Sequence, residues 1–116
     1  MTISITKLFE FEACHHLPNY DGACRNLHGH SYKLEVEIVG GIDEETGMIT
    51  DFSNLKRVVQ DRILNRLDHS NLNAFFDMPT AENMVKYIFE KMTECYSGVI
   101  RVRLWETSTS YAEIKK

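Results

Sequence analysis

Hydrophobic and polar residues alternate along two stretches in the first part of the chain. In the first stretch the apolar side chains fall on odd positions, at Ile3, Ile5, Phe9, Phe11 and Ala13. In the second stretch they fall on even positions, at Tyr32, Leu34, Val36 and Ile38. Alternation with a period of two is typical of a strand with one buried face and one solvated face. We therefore expect strands over residues 3–15 and up to the glycine pair 40–41.

Two later stretches carry apolar residues at the spacing of an amphipathic helix. Asp51 is the expected N-cap of the first helix. Its apolar stripe consists of Phe52, Leu55, Val59, Ile63 and Leu67. Thr80 is the expected N-cap of the second helix, where Glu82 suits the positive end of the helix dipole. Its stripe consists of Ala81, Met84, Val85, Ile88, Met92 and Cys95.

The end of the chain alternates again and completes the predicted fold. A third strand follows Gly98 with Ile100, Val102 and Leu104 on its apolar side, and a short fourth strand is expected over roughly 110–114. The order ββααββ predicts an α+β domain with an antiparallel four-stranded sheet and two helices on one face. A length of 116 residues fits one domain over positions 1–116.

Composition excludes several classes of protein. With 43% hydrophobic and 26% charged residues, the chain is too apolar for a disordered protein. A net charge of −4 argues against a general binder of nucleic acid or anionic membranes, although a local basic pocket stays compatible with it. We expect no signal peptide and no transmembrane span. The three cysteines form no disulfide framework, so we expect free thiols and a cytoplasmic protein.

Four of the five histidines lie between positions 15 and 30. His28 and His30 are in phase with the apolar face of the second strand, and His15 is in phase with that of the first, whereas His16 points away. If the two strands pair, three imidazoles project from one end of the apolar face. Three imidazoles are the ligand set of a catalytic zinc site with an open fourth position. Hydrogen-bonded core histidines are the alternative.

Cys24 and His69 are further candidates for chemistry. Cys24 lies four residues before His28, where a nearby metal would favour a thiolate that acts as nucleophile, ligand or base. A thiol with only a packing role is the alternative. Asp68 precedes His69, as a carboxylate that orients an imidazole for proton transfer would. A histidine that interacts with the dipole at a helix C-terminus would give the same pattern.

Glu106 is in phase with the apolar residues of the third strand, so an acidic group is expected at the end of that apolar face. A buried carboxylate needs a partner, and a guanidine-like edge with two N–H donors would provide one. The alternative is that the strand has ended and Glu106 is solvated.

Several segments, in the same order, resemble the 6-pyruvoyl-tetrahydropterin synthase superfamily. They are Phe-Glu-Ala-Cys-His-His-Leu-Pro (11–18), Cys-Arg-Asn-Leu-His-Gly-His (24–30), Leu-Asp-His (67–69), Pro-Thr-Ala-Glu-Asn (79–83) and Trp-Glu-Thr (105–107). The spacing from Cys24 to His30 and the ending at residues 105–111 are most similar to the 6-carboxy-tetrahydropterin synthase branch, which belongs to queuosine synthesis. Cys14 departs from the pattern, since relatives often have a small residue such as Ala there.

The resemblance implies a tunnelling fold and a lyase. It implies conversion of 7,8-dihydroneopterin triphosphate to 6-carboxy-5,6,7,8-tetrahydropterin, with release of acetaldehyde and triphosphate. Cys24 would be the base, His69 its relay partner oriented by Asp68, and Glu106 with the adjacent Thr107 would bind the pterin. Zinc would be held by His15, His28 and His30.

The resemblance also implies a homo-oligomer, in which trimers close a barrel, two trimers stack, and subunits share active sites. A 6-pyruvoyl-tetrahydropterin synthase acting on the same substrate is the first alternative to the carboxy-forming lyase. A non-catalytic protein of the same fold that binds pterin or metal is the second. A zinc-stabilised structural domain with Cys24 as fourth ligand is the third.

Overall fold

Two long antiparallel strands form the centre of the sheet. The computed structural model describes residues 1–116 and places β1 at Ser4–His15 and β2 at His28–Val39. The register runs from Ser4 opposite Val39 to His15 opposite His28. Because the two alternating patterns are paired in phase, the apolar side chains of both strands share one face. This confirms the first two predicted strands.

The sheet has five strands, so the prediction of four was wrong. The added strand, β3, covers only Ser70–Asn71 and runs parallel to the end of β1 beside Ala13 and Cys14. The remaining strands are β4 (Val99–Thr107) and β5 (Ser110–Lys115), and the order across the sheet is β3-β1-β2-β4-β5. A strand of two residues is too short to show alternation, and only its pairing with β1 defines it.

The predicted helices are present, with one irregularity. α1 starts at Phe52–Val59, widens into a π-helical turn at Gln60–Leu64 and ends in an α-helical turn at Asn65–Leu67. Its stripe advances by repeated steps of four residues, which exceed the 3.6 residues of an α-helical turn. The wider π turn, with its i→i+5 bonds, keeps the late members of the stripe on the core.

Asp51 accepts a hydrogen bond from the backbone of Ser53 at 2.7 Å, so its predicted role as N-cap is confirmed. Phe52 was predicted on the buried stripe but is 50% exposed. It lines a small apolar surface cavity together with Ile42 and Met48 instead of entering the core.

The second helix, α2, spans Ala81–Cys95, and Thr80 caps it as predicted by accepting from the backbone of Asn83 at 3.2 Å. Cys95, at its last residue, is only half-buried. Two short 3₁₀ turns complete the chain, at Ala23–Arg25 and Leu72–Ala74. None of the helices has the length and apolar content needed to cross a bilayer.

A core of 20 buried residues fills the space between the helices and one face of the sheet. At the start of β4, Val99 is fully buried and Ile100 is only half-buried. The prediction that Ile100 begins the apolar side of this strand was therefore wrong. The cause is a register shift that places Val99 opposite Ile38. Gly98 precedes the shift, where an added Cβ would lie 2.2 Å from the carbonyl oxygen of Val39. Only glycine fits so close to that backbone.

The other face of the sheet carries paired charges. The Arg101 guanidinium lies 2.8 Å from Glu37 and 3.2 Å from Glu35, and Arg103 lies 2.8 Å from Glu113. Opposite charges on β2, β4 and β5 therefore pair across neighbouring strands on this face.

Candidate metal and pterin site

The imidazoles of His15, His28 and His30 meet at the end of the β1–β2 pair. One nitrogen from each ring lies within 4.8 Å of the others. The centroid of His15 is 4.7 Å from that of His28 and 5.0 Å from that of His30. The side chain of His16 takes no part in this group. Strand parity therefore predicted the convergence of these three residues correctly.

Backbone carbonyls fix the orientation of two of these rings. Nδ1 of His15 lies 2.7 Å from the carbonyl oxygen of Pro79, and Nδ1 of His28 lies 2.7 Å from that of Asn26. A carbonyl oxygen only accepts, so Nδ1 carries the proton in both rings. Both Nε2 atoms then present lone pairs, and they lie 3.1 Å apart. Two lone pairs at this distance repel each other unless a proton or a cation lies between them.

The third ring has a buried nitrogen without a hydrogen bond. Nε2 of His30 has no hydrogen-bond partner, although the Glu106 carboxylate approaches it to 3.3 Å. Burial is the largest influence on the pKa of His30 and lowers it; the nearby rings of His15 and His28 lower it further, against the opposing effect of Glu106. A neutral imidazole with a buried ring nitrogen that makes no hydrogen bond is suited to bind a metal ion. The three histidines therefore fit a divalent ion, and an all-nitrogen donor set suits zinc.

Glu106 lies beside this cluster near the end of β4. The pairing of β4 with β5 shifts between Trp105 and Thr107, so Glu106 falls at an irregularity of the ladder. It is half-buried and lines a cleft of about 490 Å³ between the start of α2 and β5. Burial raises the pKa of the Tyr32 phenol, and the charge of Glu106 raises it further. Glu106 is thus a half-buried carboxylate that lines a pocket, whereas the neighbouring Thr107 is exposed at the hairpin turn.

Asp68 and His69 form the predicted carboxylate–imidazole pair. Nδ1 of His69 lies 2.9 Å from Oδ1 of Asp68, and the same oxygen accepts from the backbone of Glu12 at 3.0 Å. His69 has a positive φ of 60°, the left-handed region that a non-glycine residue rarely occupies. Its backbone N–H donates to the carbonyl of Glu12, which holds this conformation. The pair is therefore fixed to β1, while the His69 side chain is 79% exposed.

Within one chain, Cys24 and His69 do not line the same cleft. Cys24 is in the 3₁₀ turn Ala23–Arg25, and its carbonyl accepts from the backbone of Leu17 at 2.8 Å. His69 is anchored to Glu12 and lines a cleft of about 440 Å³ together with His30 and Cys14. Cys24 does not line that cleft. The structure thus brings the three zinc-ligand candidates together with Glu106, but it does not bring Cys24 to His69.

Two groups that support the site were missed by sequence reasoning. The carbonyl of Pro79 holds His15 across 64 residues of sequence. The Asn73 side chain accepts from the backbone N–H of His16 at 2.9 Å and donates to its carbonyl at 3.0 Å. A backbone carbonyl leaves no signal in a sequence pattern. Asn73 follows a loop-like run of polar residues, and only its contacts distinguish it.

Comparison with known proteins identifies the family. A family model described as 6-pyruvoyl tetrahydropterin synthase matches residues 4–116. The chain belongs to the 6-pyruvoyl tetrahydropterin synthase family. The resemblance inferred from the motifs is therefore confirmed, and it extends over nearly the whole chain.

Relatives within the 6-pyruvoyl tetrahydropterin synthase family are similar over most of their length. The chain is 41% identical over 115 residues to the 6-carboxy-5,6,7,8-tetrahydropterin synthase of Synechocystis, an alignment that covers 93% of this chain and 89% of the relative. It is 36% identical over 138 residues to the protein of the same name from Haemophilus influenzae, with 97% and 98% covered. The solved structure of Caenorhabditis elegans 6-pyruvoyl tetrahydropterin synthase aligns with a TM-score of 0.89 at 29% identity, covering 100% of this chain and 96% of that one.

Proposed function

We propose that this protein is a zinc-dependent lyase that converts 7,8-dihydroneopterin triphosphate and water to 6-carboxy-5,6,7,8-tetrahydropterin, releasing acetaldehyde and triphosphate. The observation that carries the proposal is the buried Nε2 of His30, which has no hydrogen bond and faces two other imidazoles and the Glu106 carboxylate. The names of the Synechocystis and Haemophilus relatives favour this reaction. The protein would then serve queuosine synthesis in the cytoplasm.

Zinc would be held by His15, His28 and His30. The Nδ1 bonds of His15 and His28 leave their Nε2 lone pairs free for the ion, and three imidazoles leave a fourth position open for substrate. Zinc bound there would polarise side-chain oxygens of the substrate, which makes an adjacent C–H more acidic.

Glu106 would anchor the pterin. The carboxylate can accept both N–H groups of the guanidine-like edge of the ring, in the way that carboxylates accept a paired donor from arginine. Its position next to His30 would hold the pterin side chain against the metal site. Thr107 would contribute a hydroxyl at the rim, where it is exposed.

Cys24 and His69 would move the protons. A Cys24 thiolate would act as the base on the substrate C–H. Asp68 binds Nδ1 of His69, so Nε2 of that ring is left to exchange a proton with solvent or with the thiol. The turn that holds Cys24 is bonded to Leu17, beyond the end of β1, whereas His69 is bonded to Glu12 within β1, so this relay would join residues from two copies of the chain.

A homo-oligomer would supply that second copy. β5 and β3 are the two edges of the sheet, and β5 leaves one side of a six-residue strand without a partner. Exposed strand edges favour pairing with another strand. We therefore propose that copies of the chain join edge to edge in a closed barrel, a trimer or hexamer, with active sites at the subunit interfaces.

Product analysis tests the proposed function. The zinc-loaded protein is incubated with 7,8-dihydroneopterin triphosphate, and acetaldehyde, triphosphate and the pterin product are measured together. The proposal predicts equal amounts of acetaldehyde and carboxylated pterin. Triphosphate release without acetaldehyde would instead assign the 6-pyruvoyl-tetrahydropterin synthase reaction, and pterin binding without turnover would assign a non-catalytic role.

A further inference from the structure

The buried ring of His15 depends on the turn that begins α2. Its Nδ1–H donates to the carbonyl of Pro79, which is itself buried. His28, in contrast, is held by the carbonyl of Asn26, only two residues away in its own loop. The Tyr32 hydroxyl lies 3.5 Å from the same Nδ1, so the shorter bond to the Pro79 carbonyl is the main contact that directs His15. That carbonyl comes from a distant segment and must itself be held in place.

The peptide unit after Pro79 is held from its opposite side. The carbonyl of Pro79 and the N–H of Thr80 belong to one planar unit and point in opposite directions. The Thr80 N–H donates to the carbonyl of Met78 at 2.9 Å, so the Pro79 carbonyl is directed away from Met78 and toward His15. This three-residue turn has a single backbone bond.

Asn83 braces this turn from the first turn of the helix. Its Nδ2 donates to the same Met78 carbonyl at 2.9 Å, and its backbone N–H donates to the Thr80 hydroxyl at 3.2 Å. Asn83 thus binds the residues on both sides of Pro79. Its side chain is exposed and forms no hydrogen bond with an imidazole.

We infer that Asn83 is a positioning residue for the metal site. Its amide fixes the Met78 carbonyl, the Met78 carbonyl fixes the peptide unit of Pro79, and that unit sets the tautomer and direction of His15. Without the Asn83 amide, the Met78 carbonyl loses one of its two hydrogen bonds. The His15 ring then gains freedom to rotate or to move its proton to Nε2. Partners outside the ligand shell that orient a metal-binding histidine typically contribute 10–100-fold to metal affinity.

This inference rests on the proposed zinc site, and the test separates the two. Zinc affinity is measured by competition with a chromophoric chelator for the wild type, Asn83→Ala and Asp51→Ala. Asp51→Ala is the matched control, since it removes an exposed side-chain bond to the backbone at the start of the other helix. We expect Asn83→Ala to weaken zinc binding by about tenfold, the low end of the range for such partners. We expect Asp51→Ala to keep the wild-type affinity while its melting temperature falls.

Binding of cobalt provides a measurement that does not depend on the general stability of the fold. The visible absorption of the cobalt-loaded protein reports ligand geometry, and we expect it to change in Asn83→Ala but not in Asp51→Ala. Asn83→Asp keeps the size of the side chain and loses the donor, so it should reproduce the loss even if the alanine variant does not fold. Wild-type zinc affinity and cobalt spectra in the Asn83 variants would overturn the inference, as would an equal loss in Asp51→Ala. A wild type that binds no zinc would refute the proposed function itself.

Discussion

Removal of zinc should lower the melting temperature of the protein by an amount that the structure lets us work out. The three imidazoles converge only in the folded state, because the pairing of β1 with β2 brings them together. An ion that binds only the folded state at 100 times its dissociation constant stabilises that state by about 2.7 kcal/mol. Unfolding entropy is about 2.1 cal/mol/K per residue, or about 0.24 kcal/mol/K for 116 residues. The expected shift is therefore about 11 °C.

The assay is thermal unfolding followed by circular dichroism at fixed protein concentration, with and without zinc at that excess. His28→Ala should lose the shift, because it removes one ligand of the cluster. His16→Ala is the matched control and should keep the shift, since the His16 side chain lies outside the cluster. Equal melting temperatures of the wild type with and without zinc would refute the assignment, as would loss of the shift in His16→Ala.

The other predictions concern the base, the pterin anchor, the assembly and the charged face. Cys24→Ala should keep one zinc per chain by metal analysis but lose turnover, and unchanged turnover would remove Cys24 from the mechanism. Glu106→Gln should weaken pterin binding in a titration, whereas equal binding by both forms would reject the anchor. Sedimentation at micromolar concentration should give a trimer or hexamer, and a monomer would contradict the shared site. Donors from Ser4 and Arg101 lower the pKa of Glu37, and bonds from Trp105 and Arg101 outweigh burial to lower that of Glu35. The two carboxylates therefore stabilise the folded state above about pH 4.5, and this stabilisation is lost as the pH falls through their lowered pKa values. The free energy of unfolding, measured as a function of pH, should show this loss. Arg101→Met should make the loss smaller.

Strand parity explains why the metal cluster could be predicted from the sequence. Side chains two residues apart share a face, so the phase of His28 and His30 followed from the apolar residues of the same strand. The pairing of His15 with His28 then brought the third ring into place. The apolar spacing and the caps Asp51 and Thr80 likewise located both helices, because capping is a local interaction.

Features that depend on contacts between distant segments could not be predicted. β3 exists only because residues 68–71 bind the end of β1. The buried residue at the start of β4 is Val99 and not Ile100, because the pairing of β4 with β2 contains a register shift. Pro79 presents a carbonyl to His15, and no side-chain pattern records a backbone contact. Cys24 and His69 belong to different segments that share no cleft within one chain, which no sequence pattern records, and the proposed mechanism therefore draws on a second subunit.

The most direct test of the central claim is the rate of acetaldehyde release from 7,8-dihydroneopterin triphosphate as zinc is titrated into metal-free protein. If His15, His28 and His30 hold the ion that serves the reaction, the rate should rise in proportion to zinc up to one ion per chain and then stay constant. Acetaldehyde release by the metal-free protein, or none at one zinc per chain, would contradict the account.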